Sequence, residues 1–170
     1  TAQVLLAIMA GMYAVYHGGE GLKDIAKRIT LLTKTLAEHL FETGYELVNK
    51  NYFDTITFRI NNREKLEEIS QSHEMNFHFS SNDLVTISLD ETTTKSDVLN
   101  ILSVFNSAKN IDTSAITFDN EADLKNITES LQRTSSFLLH PVFNKYHSET
   151  EMMRYLKMLE NKDLSLTHSM

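Results

Sequence analysis

Three runs in this chain carry residue types and spacings on which chemistry can be built. Gly18, Gly19 and Gly21 stand just ahead of a long periodic segment, and a helix N-terminus can hold phosphate on its free N–H groups. Neither the dinucleotide-binding nor the P-loop spacing is present and no strand leads in, so a helix–helix turn is the simpler reading. Asp90-Glu91-Thr92-Thr93-Thr94 offers oxygens to a cation, yet a strand end followed by an N-cap accounts for the same residues. Tyr146-His147-Ser148-Glu149-Thr150-Glu151 sets an imidazole among carboxylates, donors that suit a metal. His147 and Glu149 do not share a helix face at i and i+2, and Ser148 with Glu151 reads as a full capping box. The other histidines, His17, His39, His73, His78, His140 and His168, are scattered. No pair of them has the i, i+4 zinc spacing with a partner acid, and separation alone supports no Ser/His/Asp set. Met9, Met12, Tyr13 and Tyr16 are helix-core material before they are a cofactor box. The residues alone therefore name no catalytic, cofactor-binding or metal-binding side chain.

The elements that would position these runs follow from periodicity. Val4 to Tyr16 is apolar, aromatic, Ala or Gly throughout, which predicts a helix buried on all sides. At 13 residues it is shorter than the roughly 20 that span a bilayer, and no basic stretch precedes it as in a signal peptide. Such a helix implies that the chain is a piece of something larger whose missing part covers it; the uncapped end LSLTHSM implies the same. Gly18 closes this helix in a left-handed conformation. Leu22, Ile25, Ile29, Leu32, Leu36 and Leu40 form the stripe of a second helix to Thr43, with Gly44 as its stop. A strand over Tyr52–Ile60 follows, then a helix capped by Asn61 with Glu64, carrying Leu66 and Ile69. Asn76–Phe79 and Leu84–Leu89, joined by Ser80-Ser81-Asn82-Asp83, predict an antiparallel hairpin. Thr94 with Asp97 caps a helix carrying Val98, Leu99, Leu102 and Phe105. Residues 108–120 are a polar connection, before a helix around Glu121–Arg133, a loop at Pro141 and a helix over Glu149–Glu160.

The expected class is α+β: a small three-stranded, mainly antiparallel sheet with helices on one face, an apolar N-terminal helix and a C-terminal helical arm. Composition agrees with a folded domain. Hydrophobic residues make up 41% of the chain and charged ones 23%, which is not the balance of a disordered tail. A formal charge of −7 without any basic cluster argues against a nucleic-acid binder. Cysteine is absent, which removes disulfides and thiolate chemistry and is compatible with a reducing compartment.

Three segments carry a resemblance: TAQVLLAIMAGMYAVYHGGEGLKDIAKRI, then NYFDTITFRI with VTISLDETTT, then HPVFNKYHSETEMMRYLKMLENKDLSLTHSM. In order and spacing, over the whole chain, they resemble the P protein of the glycine cleavage system, a pyridoxal-phosphate-dependent glycine decarboxylase. One departure is Gly19, where the family commonly has proline; a helix-start proline is helpful but dispensable.

The family's chain is two fold-type I halves in tandem, and the resemblance implies that this segment joins them. Residues 1–19 would lead out of a missing large domain and 20–107 would form its small α+β domain. Residues 108–133 would connect to an arm, 134–170, that resembles the start of the second half. The cofactor lysine and the active-site loops would lie outside the segment, so no family site residue carries over. For the parent, the resemblance implies an oxidoreductase of glycine catabolism that decarboxylates glycine on pyridoxal phosphate. It would pass the aminomethyl group to the lipoyl arm of the carrier H protein, as a homodimer with no nucleic-acid or membrane partner. It would sit in the bacterial cytoplasm, or in the mitochondrial matrix of a eukaryote. Two readings outside this family remain: a free-standing regulatory domain that binds an amino acid, and a helical adaptor using Met152, Met153, Leu156 and Leu159 as its stripe.

Overall fold

A computed structural model describes residues 2–111, 118 and 129–166. Their elements are α1 (Ala2–Glu42), β1 (Glu46–Leu47), β2 (Thr55–Arg59), α2 (Arg63–Ser72), β3 (His78–Ser81), β4 (Leu84–Ser88), α3 (Lys95–Lys109) and α4 (Glu149–Glu160), with 3-10 turns at Glu129–Leu131 and Pro141–Asn144. The class is α+β, with four helices and a small antiparallel sheet. Most of the helix expected over Glu121–Arg133, and most of the polar connection before it, lie outside the described residues. None of the described helices is long and apolar enough to cross a membrane.

The chain divides into two compact units, Ile25–Arg133 and the pair of segments Thr1–Asp24 with Thr134–Met170. In the first, the sheet order is β1-β2-β4-β3, antiparallel throughout. The expected three strands are thus corrected to four. The extra strand, β1, is two residues long, too short for an alternating pattern to declare it. Its pairing is extended by a side chain: Asn49 Nδ2 donates to Thr55 O at 2.9 Å, and Asn49 Oδ1 accepts from Thr57 N at 2.8 Å. The hairpin also shifts. β3 begins at His78 rather than Asn76, and an irregularity between Phe79 and Ser81 leaves only Asn82 and Asp83 to turn.

Alternation gives the sheet two faces. Ile56, Phe58, Val85 and Ile87 are buried and share one core with Leu32, Leu36 and Leu40 of α1, Leu66 of α2 and Val98, Leu102 and Phe105 of α3. The other face carries hydroxyl pairs across the β2–β4 ladder, Thr57 to Thr86 at 3.0 Å and Thr55 to Ser88 at 2.9 Å. Helix ends are set by caps. At the end of α1, Gly44 has φ 82°, its N–H donates to Phe41 O, and Tyr45 N donates to Leu40 O, both at 2.9 Å. That pair of bonds is a Schellman motif. Asn62, not Asn61, caps α2, accepting from Lys65 N at 3.0 Å. Thr94 and Asp97 close a complete capping box on α3.

In the second unit, α1 is broken inside its span at Gly18, with φ 64° and ψ −176°. The expected left-handed stop is corrected in detail: φ is positive, but ψ places the residue in a region open essentially to glycine alone. Ser148 caps α4, accepting from Glu151 N at 3.3 Å. The full capping box expected there is half formed, because the Glu151 carboxylate takes the Ser148 hydroxyl at 3.1 Å instead of its backbone N–H. Tyr146 and Tyr155 stack at 4.2 Å between ring centroids.

Candidate functional site

Of the three runs singled out in the sequence, the structure joins two in one place. The Gly18 break and the Tyr146–Glu151 run meet at a cavity of about 360 Å³ lined by Tyr16, His17, Gly18, Gly19, Glu20, Asn144 and His147. His147 Nδ1 lies 2.7 Å from the Tyr16 carbonyl oxygen. A carbonyl only accepts, so Nδ1 is the donor of this bond. The approach is close. A Cβ on Gly18 would stand 2.6 Å from Phe143 O and 2.8 Å from His147 Cε1. His17 is held by its neighbours on the helix, its ring centroid 4.3 Å from that of Tyr13 and 5.2 Å from that of Tyr16. Beside the cavity, Lys23 donates to Glu20 at 2.7 Å and lies over the Phe137 ring at 5.8 Å. The arrangement can orient an imidazole and hold a chain crossing tightly. No spacing in the sequence signals this contact, because Tyr16 and His147 are 131 positions apart.

The Asp90–Thr94 run is engaged internally. Asp90 Oδ1 accepts from Thr92 N at 2.9 Å, Thr92 Oγ1 at 2.7 Å, Thr93 N at 3.1 Å and Thr93 Oγ1 at 3.2 Å. These bonds, those from Thr92 foremost, hold its carboxyl below the usual range. Arg28 braces the same turn from α1, donating to Glu91 O at 2.7 Å and Thr93 O at 2.6 Å. The result is a turn feeding the α3 cap rather than a cation site. Among the described residues no three His, Cys, Asp or Glu side chains converge as a metal requires.

A second cleft, of about 350 Å³, was not foreseen; it involves Tyr45, Arg59, Asn62 and Lys109. Tyr45 donates its hydroxyl to Phe105 O at 2.8 Å, and burial pushes its pKa up to about 12. The Lys109 ammonium lies 3.9 Å from the Tyr45 ring centroid and donates to Thr43 O at 2.9 Å, with burial lowering its pKa. Arg59 is paired with Glu46 and with Asp83. Lys109 is thus spent on the α1–β1 corner, and Arg59 on tying β2 to β1 and to the β3–β4 turn.

Comparison with known proteins gives a single direction. The profile of the family described as "Glycine cleavage system P-protein" matches residues 1–105. Relatives called "Glycine dehydrogenase (decarboxylating)" align along the whole chain: 47% identical in Flavobacterium johnsoniae, 49% in Vibrio parahaemolyticus and 46% in Nostoc sp.. The chain spans 18% of the length of each of these relatives.

Proposed function

The chain belongs to the glycine cleavage system P-protein family, and from that premise we propose that it is a structural segment of a glycine decarboxylase. The observation that carries this is identity of 46–49% along all of its length to glycine dehydrogenases (decarboxylating) more than five times as long. The parent enzyme decarboxylates glycine and hands the aminomethyl group to the lipoyl arm of the H protein, acting as a homodimer in the bacterial cytoplasm. Residues 20–107 serve as the small domain of a fold-type I half. Residues 134–170 open the second half.

Pyridoxal phosphate, which the family implies, supplies an electron sink for the carbanion left when carbon dioxide departs. It needs a free lysine amine, a carboxylate for its ring nitrogen and a cradle of donors for its phosphate. The cleft that holds a lysine does not fit: Lys109 is committed to Thr43 O and the Tyr45 ring, and Arg59 to two carboxylates. We therefore place the cofactor's ligands in the rest of the polypeptide and assign this chain no step of the reaction.

The test is a transplant. This chain replaces the corresponding segment of the Flavobacterium johnsoniae enzyme, and glycine-dependent carbon dioxide exchange is measured with added pyridoxal phosphate. A working chimera is expected, together with no exchange by the 170-residue chain alone. A soluble, cofactor-loaded chimera without exchange refutes the assignment.

A further inference from the structure

Among the described residues, the first turns of α1 leave an unbroken run of large apolar side chains uncovered. Every residue from Ala2 to Ala10 is exposed, and Val4, Leu5, Leu6, Ile8 and Met9 each show 53–64% of their surface. At about 100° per residue, Val4, Ile8, Leu5, Met9 and Leu6 fall at about 0°, 40°, 100°, 140° and 200° around the axis. Ala10, Gln3 and Ala7 fill the remaining arc at about 240°, 260° and 300°, so Gln3 is the one polar side chain among residues 2–10 and the large apolar ones still spread over about 200°. A surface helix of a globular protein needs an apolar stripe of only about 100°.

That angular spread says what kind of partner fits. A second copy of this helix, packed alongside, covers one seam and leaves the opposite side wet. Only a groove built from two or more elements covers both Val4 and Leu6, which point about 160° apart. We propose that residues 2–10 insert into an apolar groove formed by the remainder of the parent polypeptide, which in relatives makes up the other four-fifths of the chain. This rests on the reading of the chain as a segment of a longer enzyme. It adds which residues dock, and that the receiving groove surrounds them.

The experiment places Val4→Lys and Leu6→Glu singly in the full-length parent and in the 170-residue chain. In the parent, each is expected to lower the yield of soluble protein several-fold, as a destabilised core does, and to lower its melting temperature. In the 170-residue chain both side chains face water, so neither substitution is expected to lower the melting temperature. Sensitivity of the parent to only one of the pair overturns the surrounding groove, and a dimer that dissociates with that single change identifies a second copy as the occupant. Indifference of the parent to both, or a lowered melting temperature of the 170-residue chain with either, also overturns the proposal. Glycine exchange by the unsubstituted parent is measured separately. Its absence counts against the assigned activity and leaves the docking result standing.

Discussion

Replacing Gly18 with alanine loads two separate penalties onto one methyl group. The first is conformational: φ 64° with ψ −176° costs a residue with a Cβ about 1–3 kcal/mol. The second is steric, because the new carbon would stand 2.6 Å from Phe143 O and 2.8 Å from His147 Cε1; overpacking of this kind costs about 1–3 kcal/mol. Together they predict a loss of about 2–6 kcal/mol, against a typical domain stability of about 5–15 kcal/mol. Denaturant melts report the total, and hydrogen exchange over Pro141–Glu151 localises it. A double-mutant cycle separates the parts. In Gly18→Ala/His147→Ala the contact with Cε1 is gone, while the Phe143 carbonyl and the backbone conformation still object, so recovery should be partial. Complete recovery would show that conformation contributes nothing. A single mutant within about 0.5 kcal/mol of the parent chain, the range of an ordinary surface change, would refute the tight crossing altogether.

Gly19 and Gly11 serve as contrasts: alanine there meets Phe137 Cζ at 3.9 Å or nothing within 4 Å, so each change should stabilise by about 0.4–1 kcal/mol in the same melts by restricting the unfolded chain. Tyr45 gives a pH signature, since burial pushes its pKa in the fold up from the ordinary 10.0 to about 12. Its contribution is complete below pH 10 and is lost as pH rises to 12, at about 1.4 kcal/mol per unit; Tyr45→Phe should abolish that slope and cost about 1 kcal/mol below it, through the lost bond to Phe105 O. Ser148→Ala should weaken α4 by about 1 kcal/mol, read as faster hydrogen exchange over residues 149–156; unchanged exchange would mean that the Glu151 N–H does not depend on this cap.

What the sequence made legible is local. Gly44 as a helix stop, Thr94 with Asp97 as a cap and Ser148 ahead of α4 each act within five residues of the groups they satisfy, so residue type and spacing suffice. Errors began where the deciding partner was distant or the signal short. β1 is two residues long and is held by the Asn49 amide, whose role is set by Thr55 and Thr57 on the next strand. Asn61 and Asn62 have equal capping chemistry, and only the backbone path leaving β2 selects the second. β3 starts late because its pairing with β4, through Phe79 and Val85, sets the register.

The same distinction governs the candidate site. Gly18 was legible as a break and His147 as a residue of interest, but their meeting depends on contacts between segments over 120 positions apart, for which one sequence has no periodic trace. The form of the break explains why it survives there. A left-handed stop ends a helix cheaply and tolerates asparagine, whereas the conformation at Gly18 penalises any residue with a Cβ. The space that a Cβ would fill is taken by the Phe143 carbonyl and the His147 ring, and that ring in turn satisfies the Tyr16 carbonyl beside the break. Backbone geometry, close approach and hydrogen bond therefore require one another at this crossing. The glycine run that first suggested a phosphate cradle is better understood as the place where the His140–Glu151 stretch is clamped against the helix.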